Sequence, residues 1–161
     1  MSGITPCLWF DGKAEEAARF YVSLLPDSRI DAILPYSVET PGGSPGDVMA
    51  VEFTLAGRNY EALNGGPMFR FTPAVSFMVD CADQAEVDRL WSALSDGGSP
   101  GQCGWLTDRY GVSWQIVPTV LGKMLKVEDP AKVRRVTEAL LGMTRIEIDR
   151  LEDARDGGPA A

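Results

Sequence analysis

Two similar stretches of the chain each run through a glycine and an aromatic residue to a side chain that could act on a proton or a carbonyl group. They are residues 57–61 (GRNYE) and residues 111–115 (GVSWQ). A positioned carboxylate can act as a general base, and a carboxamide can hydrogen-bond a carbonyl oxygen. Glu61 and Gln115 are therefore the candidate catalytic residues. The alternatives are that Glu61 faces water on a strand and that Gln115 only hydrogen-bonds Glu61.

The sequence contains no histidine, which excludes Ser-His-Asp, Cys-His and HExxH chemistry. Its three cysteines are Cys7, Cys81 and Cys103. They are odd in number and show no CxxC spacing, which argues against a disulfide framework and a zinc site. We expect free thiols. Cys103 has no neighbouring histidine or cation in the sequence that would lower the pKa of its thiol, which argues against a nucleophilic role.

The composition predicts a soluble globular protein that binds neither nucleic acid nor membranes. The chain has 161 residues, 45% of them hydrophobic, and a formal charge of -8 that opposes contact with nucleic acid or anionic lipid. It has no stretch of about 18 apolar residues and no basic segment before an apolar run at its start. We therefore expect a cytoplasmic location.

The elements that must position Glu61 and Gln115 occur as a repeat. Helical stripes in residues 12–25 and 83–94 match at an offset of 70, and each follows a short predicted strand, Thr5–Phe10 or Ala74–Val79. Further strands are predicted at 29–36, 48–55 and 112–117, with a hairpin turn at 108–111. The pattern predicts an α+β fold of two tandem βαβββ modules, residues 1–66 and 67–118.

A helical extension is predicted after the repeat, over residues 119–151. Asp129 followed by Pro130 is a typical helix start, and an apolar stripe of Val133, Val136, Leu140 and Met143 follows. The stripe either covers the sheet of its own subunit or packs across a dimer interface. Residues 152–161 are expected to form a disordered tail.

The repeat resembles the vicinal oxygen chelate superfamily, which includes glyoxalase I, extradiol dioxygenases and bleomycin-resistance proteins. It is more similar to the PhnB-like branch, often labelled 3-demethylubiquinone-9 3-methyltransferase. The motifs that carry the resemblance are LWFDGKAEEA (8–17), Phe20-Tyr21, LNGGP (63–67), FTPAVSF (71–77), CGW (103–105) and DRYGVSWQIVP (108–118).

The resemblance implies a curved mixed sheet around a cup, with metal ligands on the first and fourth strands of each module. These positions fall near Thr5 or Cys7, near Ala74 or Ser76, and at Glu61 and Gln115. Only Glu61 matches a usual ligand, whereas catalytic metal sites commonly use about three strong protein ligands. We therefore expect no tightly bound metal and no cofactor.

Inside such a cup, burial would raise the pKa of Glu61 and make it a usable base. Aromatic side chains would form flat walls for a small ligand, and Arg109 could reach an anionic ligand. The aromatic candidates are Trp9, Tyr60, Trp105, Tyr110 and Trp114. The alternatives are aromatic residues in the core and a solvated Arg109.

Two functions remain open. The first is a protein that binds a small hydrophobic or carbonyl-containing molecule, as the bleomycin-resistance relatives suggest. The second is a metal-independent enzyme with Glu61 as base and Gln115 polarising a carbonyl. The chain lacks the doubly wound sheet and the glycine-rich turn that commonly bind S-adenosylmethionine. Methyltransferase activity, which the family label suggests, is therefore the least favoured alternative. A homodimer is expected from the family's precedent and from the apolar C-terminal stripe.

Overall fold

The computed structural model of the protein describes residues 3–127 and 129–158. The chain divides into two compact units, and the boundary lies between Phe71 and Thr72 rather than after residue 66. Each unit has a four-stranded mixed sheet formed by a βαβββ sequence, which confirms the predicted fold class. The later boundary has a physical reason, because Phe71 packs edge-on against Phe10 of the first strand with ring centroids 5.2 Å apart.

The sheet of the first unit is covered on one face by a single helix. In chain order the elements are β1 (Cys7–Phe10), α1 (Ala14–Leu24), β2 (Arg29–Pro35), β3 (Val48–Leu55) and β4 (Arg58–Asn64). The strand order is β1-β4-β3-β2, with β1 parallel to β4 and the other pairs antiparallel. Val51, Phe53 and Ala62 are buried with Ala17 and Tyr21 of α1. Since side chains alternate along a strand, Glu52 and Glu61 point to the opposite face.

Asn64, at the end of β4, connects three parts of the first unit. Its buried Oδ1 accepts a hydrogen bond from the backbone N–H of Ala14 at 2.9 Å, and its Nδ2 donates to the carbonyl of Val48 at 2.9 Å. The hydroxyl of Tyr36 donates to the Asn64 carbonyl. The residue at the N-cap of α1, Lys13, offers no side-chain cap, so Asn64 takes over that role from a distant strand.

The sheet of the second unit follows the same plan with shorter strands. Its elements are β5 (Ser76–Cys81), α2 (Gln84–Ser95), β6 (Ser99–Pro100), β7 (Trp105–Thr107) and β8 (Ser113–Pro118), in the order β5-β8-β7-β6. The predicted hairpin turn at 108–111 is confirmed, because Gly111 N–H donates to the Asp108 carbonyl at 3.0 Å. Helix α2 is capped by Asp83, which accepts a hydrogen bond from Glu86 N–H at 2.9 Å.

In the part of the second unit that the structure describes, the strands are followed by the helices α3 (Thr119–Met124), α4 (Pro130–Leu141) and α5 (Ile148–Asp156). Asp129 caps α4 as predicted. Within the chain, Val136 and Met143 of the apolar stripe are buried in a cluster with Leu121, Ile146 and Leu151. These two residues of the stripe therefore pack in the core of their own unit, against helices of the extension and Val117 of β8.

Helix α5 continues to Asp156, so residues 152–156 are helical where a disordered tail was expected. The reason is a tertiary cap: the Arg135 guanidinium donates to the carbonyls of Ala154 and Arg155 at 2.8 and 2.7 Å. Gly157 then ends the helix in a left-handed conformation, with φ of 85°. The last residues of the predicted tail, 159–161, lie outside the described residues.

The side chain of Gln84 joins the extension to the βαβββ part of the second unit. Its Oε1 accepts a hydrogen bond from Ile148 N–H at 2.8 Å, and its Nε2 donates to the Ile146 carbonyl at 3.0 Å. Cys103 N–H also donates to the Met143 carbonyl at 2.8 Å. Among the described residues, none of the helices combines the length and the apolar character needed to span a bilayer.

Candidate functional site

Glu61 lies at the centre of the first sheet, between carboxylate and thiol neighbours. Its register partner on the parallel strand β1 is Cys7, and its partner on the antiparallel strand β3 is Glu52. The Cys7 thiol donates a hydrogen bond to Glu61 Oε1 over 3.8 Å. Glu61 is half-buried and Glu52 is exposed. The predicted catalytic carboxylate therefore borders an accessible surface.

That surface is an open groove of about 460 Å³ in the first unit. The groove is lined by Thr5, Arg29, Asp31, Glu52, Phe53, Asn59, Tyr60 and Glu61. Ligand sites in proteins commonly measure about 300–1,000 Å³, so the groove is large enough for a small organic molecule. Six of its eight lining residues are charged or polar without an aromatic ring, so it differs from the aromatic enclosure expected around Glu61.

Among the described residues that line the groove, the cation is Arg29, and it is already paired. Arg29 Nε lies 2.7 Å from Asp31 Oδ1, and the other carboxylate oxygen of Asp31 accepts a hydrogen bond from the Thr54 hydroxyl at 2.7 Å. The strand is irregular at this point, because the register of β2 with β3 shifts between Ile30 and Ala32. A bulge of this kind re-aims a side chain, here that of Asp31.

Cys7 is held in its protonated form by its surroundings. Partial burial raises the pKa of the Cys7 thiol, and the neighbouring Glu61 carboxylate raises it further by repulsion and by accepting its hydrogen bond. A thiol attacks and binds metals as the thiolate, so Cys7 is a poor nucleophile and a poor ligand near neutral pH.

Tyr60 and Trp9, two aromatic residues predicted to contact a ligand, lie on opposite faces of the first sheet. Tyr60 borders the groove, but its ring stacks on the buried Phe53 at 5.5 Å, on the face opposite to the Glu61 carboxylate. Trp9 shares the face of Glu61 and is half-buried. Its Nε1 donates to the Gly66 carbonyl at 2.9 Å, and its ring meets Phe69 edge-on at 5.0 Å.

Gln115 occupies in the second unit the position that Glu61 has in the first. Its Nε2 donates to the Ser76 hydroxyl at 2.9 Å, across the parallel pair of β5 and β8. The half-buried Trp105 is its register partner on β7. Each unit thus has a side-chain hydrogen bond between its two parallel strands: Cys7 bonds its register partner Glu61, whereas Ser76 bonds Gln115, whose register partner is Met78.

Trp114 belongs to the hydrophobic core and not to an open binding surface. Only 2% of its surface is exposed, and its ring packs 5.3 Å from that of Phe77. Its Nε1 donates to Oδ2 of the buried Asp108 at 2.8 Å. Since Trp114 immediately precedes Gln115 on β8, the two side chains point to opposite faces. Its burial favours the alternative interpretation, an aromatic residue of the core.

Arg109 has a structural partner in its own unit. Its Nη2 lies 2.5 Å from Asp96 Oδ2 and its Nε donates to the Asp96 carbonyl at 3.0 Å. Asp96 is the C-cap of α2, so this contact ties the hairpin turn to the end of the helix. The adjacent Tyr110 donates its backbone N–H to Asp108 Oδ1 at 2.8 Å.

Sequence reasoning missed most of the groove. Arg29, Asp31, Glu52 and Asn59 were not among the candidate residues, and Thr5 was named only as a possible metal position, although all line the groove with Glu61. One signal was available for Glu52, because a charged residue between the apolar Val51 and Phe53 of a strand points away from the core. Thr5, Arg29 and Asp31 come from β2 and from the segment before β1, and only the folded sheet brings them to β4.

The side chains at the superfamily's metal positions do not fit a transition metal. In the first unit they are the Glu61 carboxylate and the protonated Cys7 thiol, which are hydrogen-bonded to each other. In the second unit they are the Ser76 hydroxyl and the Gln115 carboxamide, which are also hydrogen-bonded to each other. Within residues 3–127 and 129–158, no three or more Cys, Asp and Glu side chains lie together as a metal-binding group.

The fold of this chain is shared with several solved structures. The fosfomycin resistance protein FosX from Listeria monocytogenes has 13% sequence identity and a TM-score of 0.52, over 79% of this chain and 99% of that chain. A protein from Pseudomonas aeruginosa has 25% identity and a TM-score of 0.62, over 73% of this chain and 98% of that one. The fold is that of the vicinal oxygen chelate superfamily.

The family is defined by sequence as well as by fold. The family model described as 3-demethylubiquinone-9 3-methyltransferase matches residues 2–117. The PhnB protein from Bacillus cereus has 37% identity and a TM-score of 0.67, over 73% of this chain and 100% of that one. The chain belongs to this PhnB-like family. A search of curated proteins found no significant match.

Proposed function

We propose that the protein binds a small polar organic molecule in the groove beside Glu61 and does so without a tightly bound metal. One observation carries the proposal: the groove of about 460 Å³ opens at Glu61, the residue singled out by the repeat. Its polar lining favours a ligand with hydrogen-bonding groups over a purely hydrophobic one. The cup and the homodimer expected from the family stay predictions.

The experiment uses a matched pair of groove variants. Thr5 lines the groove and is exposed, so Thr5→Trp should fill the groove without disturbing the core. Ile4→Trp is the control, because Ile4 is 97% exposed and is not a lining residue. A library of small polar compounds is screened by ligand-observed NMR. We expect binders that Thr5→Trp loses and Ile4→Trp keeps. Binders that both variants keep would place the site elsewhere.

Native mass spectrometry of protein purified without chelator tests the metal-free part of the proposal. The expected spectrum has the mass of the chain, or of a multiple of it, without a bound transition metal. Near-stoichiometric zinc, nickel, manganese or iron would overturn that part. The same spectrum reports the number of subunits and any retained ligand.

A second candidate function is a metal-independent enzyme with Glu61 as the general base. It is favoured by the accessible Glu61 carboxylate, which makes no ion pair with any described residue. Glu61→Gln discriminates between the two functions. A base-catalysed turnover at saturating substrate should fall by about 100-fold or more, whereas a binding protein should lose no more than about tenfold in affinity. Glu15→Gln, on the helix covering the other face of the sheet, is the control for charge removal.

A further inference from the structure

We infer that the ligand of the groove is a small organic cation, whose ammonium, amidinium or guanidinium group binds between Glu52 and Glu61. The inference rests on the proposed function and adds the chemical class of the ligand. Its basis is the charge balance of the groove and the placement of these two carboxylates on neighbouring strands.

Glu52 and Glu61 stand directly opposite each other in the antiparallel pair of β3 and β4. Like charges in this position destabilise a sheet, and opposite charges stabilise it. Neither carboxylate makes an ion pair with any residue in the described part of the chain. The side-chain hydrogen bond that Glu61 accepts there comes from the neutral Cys7 thiol. A cation placed between the two carboxylates would replace their repulsion with two attractive contacts.

The rest of the groove does not supply that cation. Arg29 is the positively charged residue among the lining residues, and its guanidinium is committed to Asp31 at 2.7 Å. One cation and three carboxylates therefore line the groove, and the net charge is negative. The chain as a whole carries a formal charge of -8, which also draws cations towards it. An anionic ligand would have to displace Asp31 from Arg29 and meet two further carboxylates.

The neutral lining residues can complete the binding of a nitrogen cation. Such a group carries several N–H donors, and two of them can be taken by Glu52 and Glu61. The hydroxyl of Thr5 and the amide oxygen of Asn59 also line the groove and can accept the remaining donors. Hydrogen bonds between an ionised donor and an ionised acceptor are the stronger kind, so the charged ligand gains over its neutral counterpart.

The test compares four probes of similar size and different charge. Benzylammonium and benzamidinium are cations, benzyl alcohol is neutral, and benzoate is an anion. Affinity is measured by ligand-observed NMR titration at low salt and again with about 0.5 M NaCl, where exposed charges are screened. We expect the two cations to bind about tenfold or more tightly than the other probes. Their affinity should fall with added salt.

Glu52→Gln and Glu61→Gln should each weaken cation binding, by about threefold to tenfold, and the double variant should abolish it. Glu15→Gln should leave it unchanged. The melting temperature provides an independent readout, because either groove substitution removes the repulsion between the two carboxylates. Both variants should therefore melt at or above the temperature of the parent protein, which separates lost binding from lost folding.

The outcomes distinguish the inference from the proposed function beneath it. Benzyl alcohol or benzoate binding as tightly as the cations, with that binding lost in Thr5→Trp, would overturn the cationic ligand and leave the groove as the binding site. Cation binding that survives the double variant would overturn it as well. If no probe and no library compound shows binding that Thr5→Trp removes, the proposed function itself fails.

Discussion

The thiol of Cys7 and the carboxylate of Glu61 face each other across the parallel strands β1 and β4, with Sγ 3.8 Å from Oε1. Burial and the Glu61 charge both raise the pKa of the thiol. Glu61→Gln removes the charge, so the pKa of Cys7 should fall towards its ordinary value and more thiolate should be present at a given pH.

We therefore expect iodoacetamide to alkylate Cys7 faster in Glu61→Gln than in the parent protein at pH 8.5, by about threefold or more. Peptide mass spectrometry follows Cys7 separately from the other cysteines. Glu15→Gln should leave the rate unchanged. Equal rates in the parent protein and Glu61→Gln would mean that the carboxylate does not act on the thiol.

The buried Cys81 should make the protein less stable at alkaline pH. Burial, followed by the charge of Glu86, raises the pKa of Cys81 to about 12 from an ordinary value of 9.0. Above pH 9 the unfolded thiol loses its proton while the folded thiol keeps it. The free energy of unfolding should then fall by up to about 1.4 kcal/mol per pH unit until the folded thiol ionises near pH 12.

Cys81→Ala isolates this effect. At pH 7.5 the variant should be less stable by about 1 kcal/mol, because a small buried side chain is lost. At pH 10.5 that deficit should shrink by about 2 kcal/mol and change sign. Urea unfolding at both pH values measures the difference, and a difference that does not change with pH would contradict the prediction.

Asn64 should be one of the most sensitive positions of the first unit. Asn64→Ala leaves the buried N–H of Ala14 and the carbonyl of Val48 without their partners, at a cost of about 2–4 kcal/mol. Asn59→Ala removes the same side chain from an exposed position on the same strand, and should change stability by less than about 0.5 kcal/mol. Urea unfolding measures the loss of stability in both variants. An Asn64→Ala loss as small as that of Asn59→Ala would show that the cap of α1 is not important.

Asp108 should stabilise the hairpin turn at 108–111 by accepting three hydrogen bonds. Its Oδ1 accepts the backbone N–H groups of Tyr110 and Val112, and its Oδ2 accepts Trp114 Nε1. In Asp108→Asn an amide N–H₂ must face the indole N–H or one of the backbone donors, at a cost of about 2 kcal/mol. In a Trp114→Phe background the same substitution should cost about 1 kcal/mol less. Strict additivity in this double-mutant cycle would rule out the coupling.

The repeat and its elements could be predicted because they depend on local patterns. Strand β3 begins and ends at the predicted residues, Val48 and Leu55, because apolar residues alternate there and a Pro- and Gly-rich loop precedes it. Strand β1 begins two residues later than predicted, at Cys7. The preceding Pro6 has no N–H to donate and contributes its carbonyl, which accepts the Glu61 N–H at 3.0 Å.

The candidate site was predicted only in part, because side-chain direction was not used. Tyr60 with Glu61, and Trp114 with Gln115, are neighbours on a strand and cannot face the same side. The sequence alone could have shown that neighbouring residues of this kind point to opposite faces and do not share one site. Asn64, by contrast, stands in a Gly- and Pro-containing stretch typical of a connector. Its bond to Ala14 spans 50 positions, which no local pattern reports.

The helical extension sets an order for folding during synthesis. The first unit ends at Phe71, so its sheet can close while the rest of the chain is still being made. The second unit is completed later, because the Gln84 side chain of α2 bonds Ile146 and Ile148, and the helical cluster needs Leu151. If synthesis stopped shortly after Pro118, the first unit would be complete, whereas Gln84 would lack the partners that join the extension to the rest of the second unit.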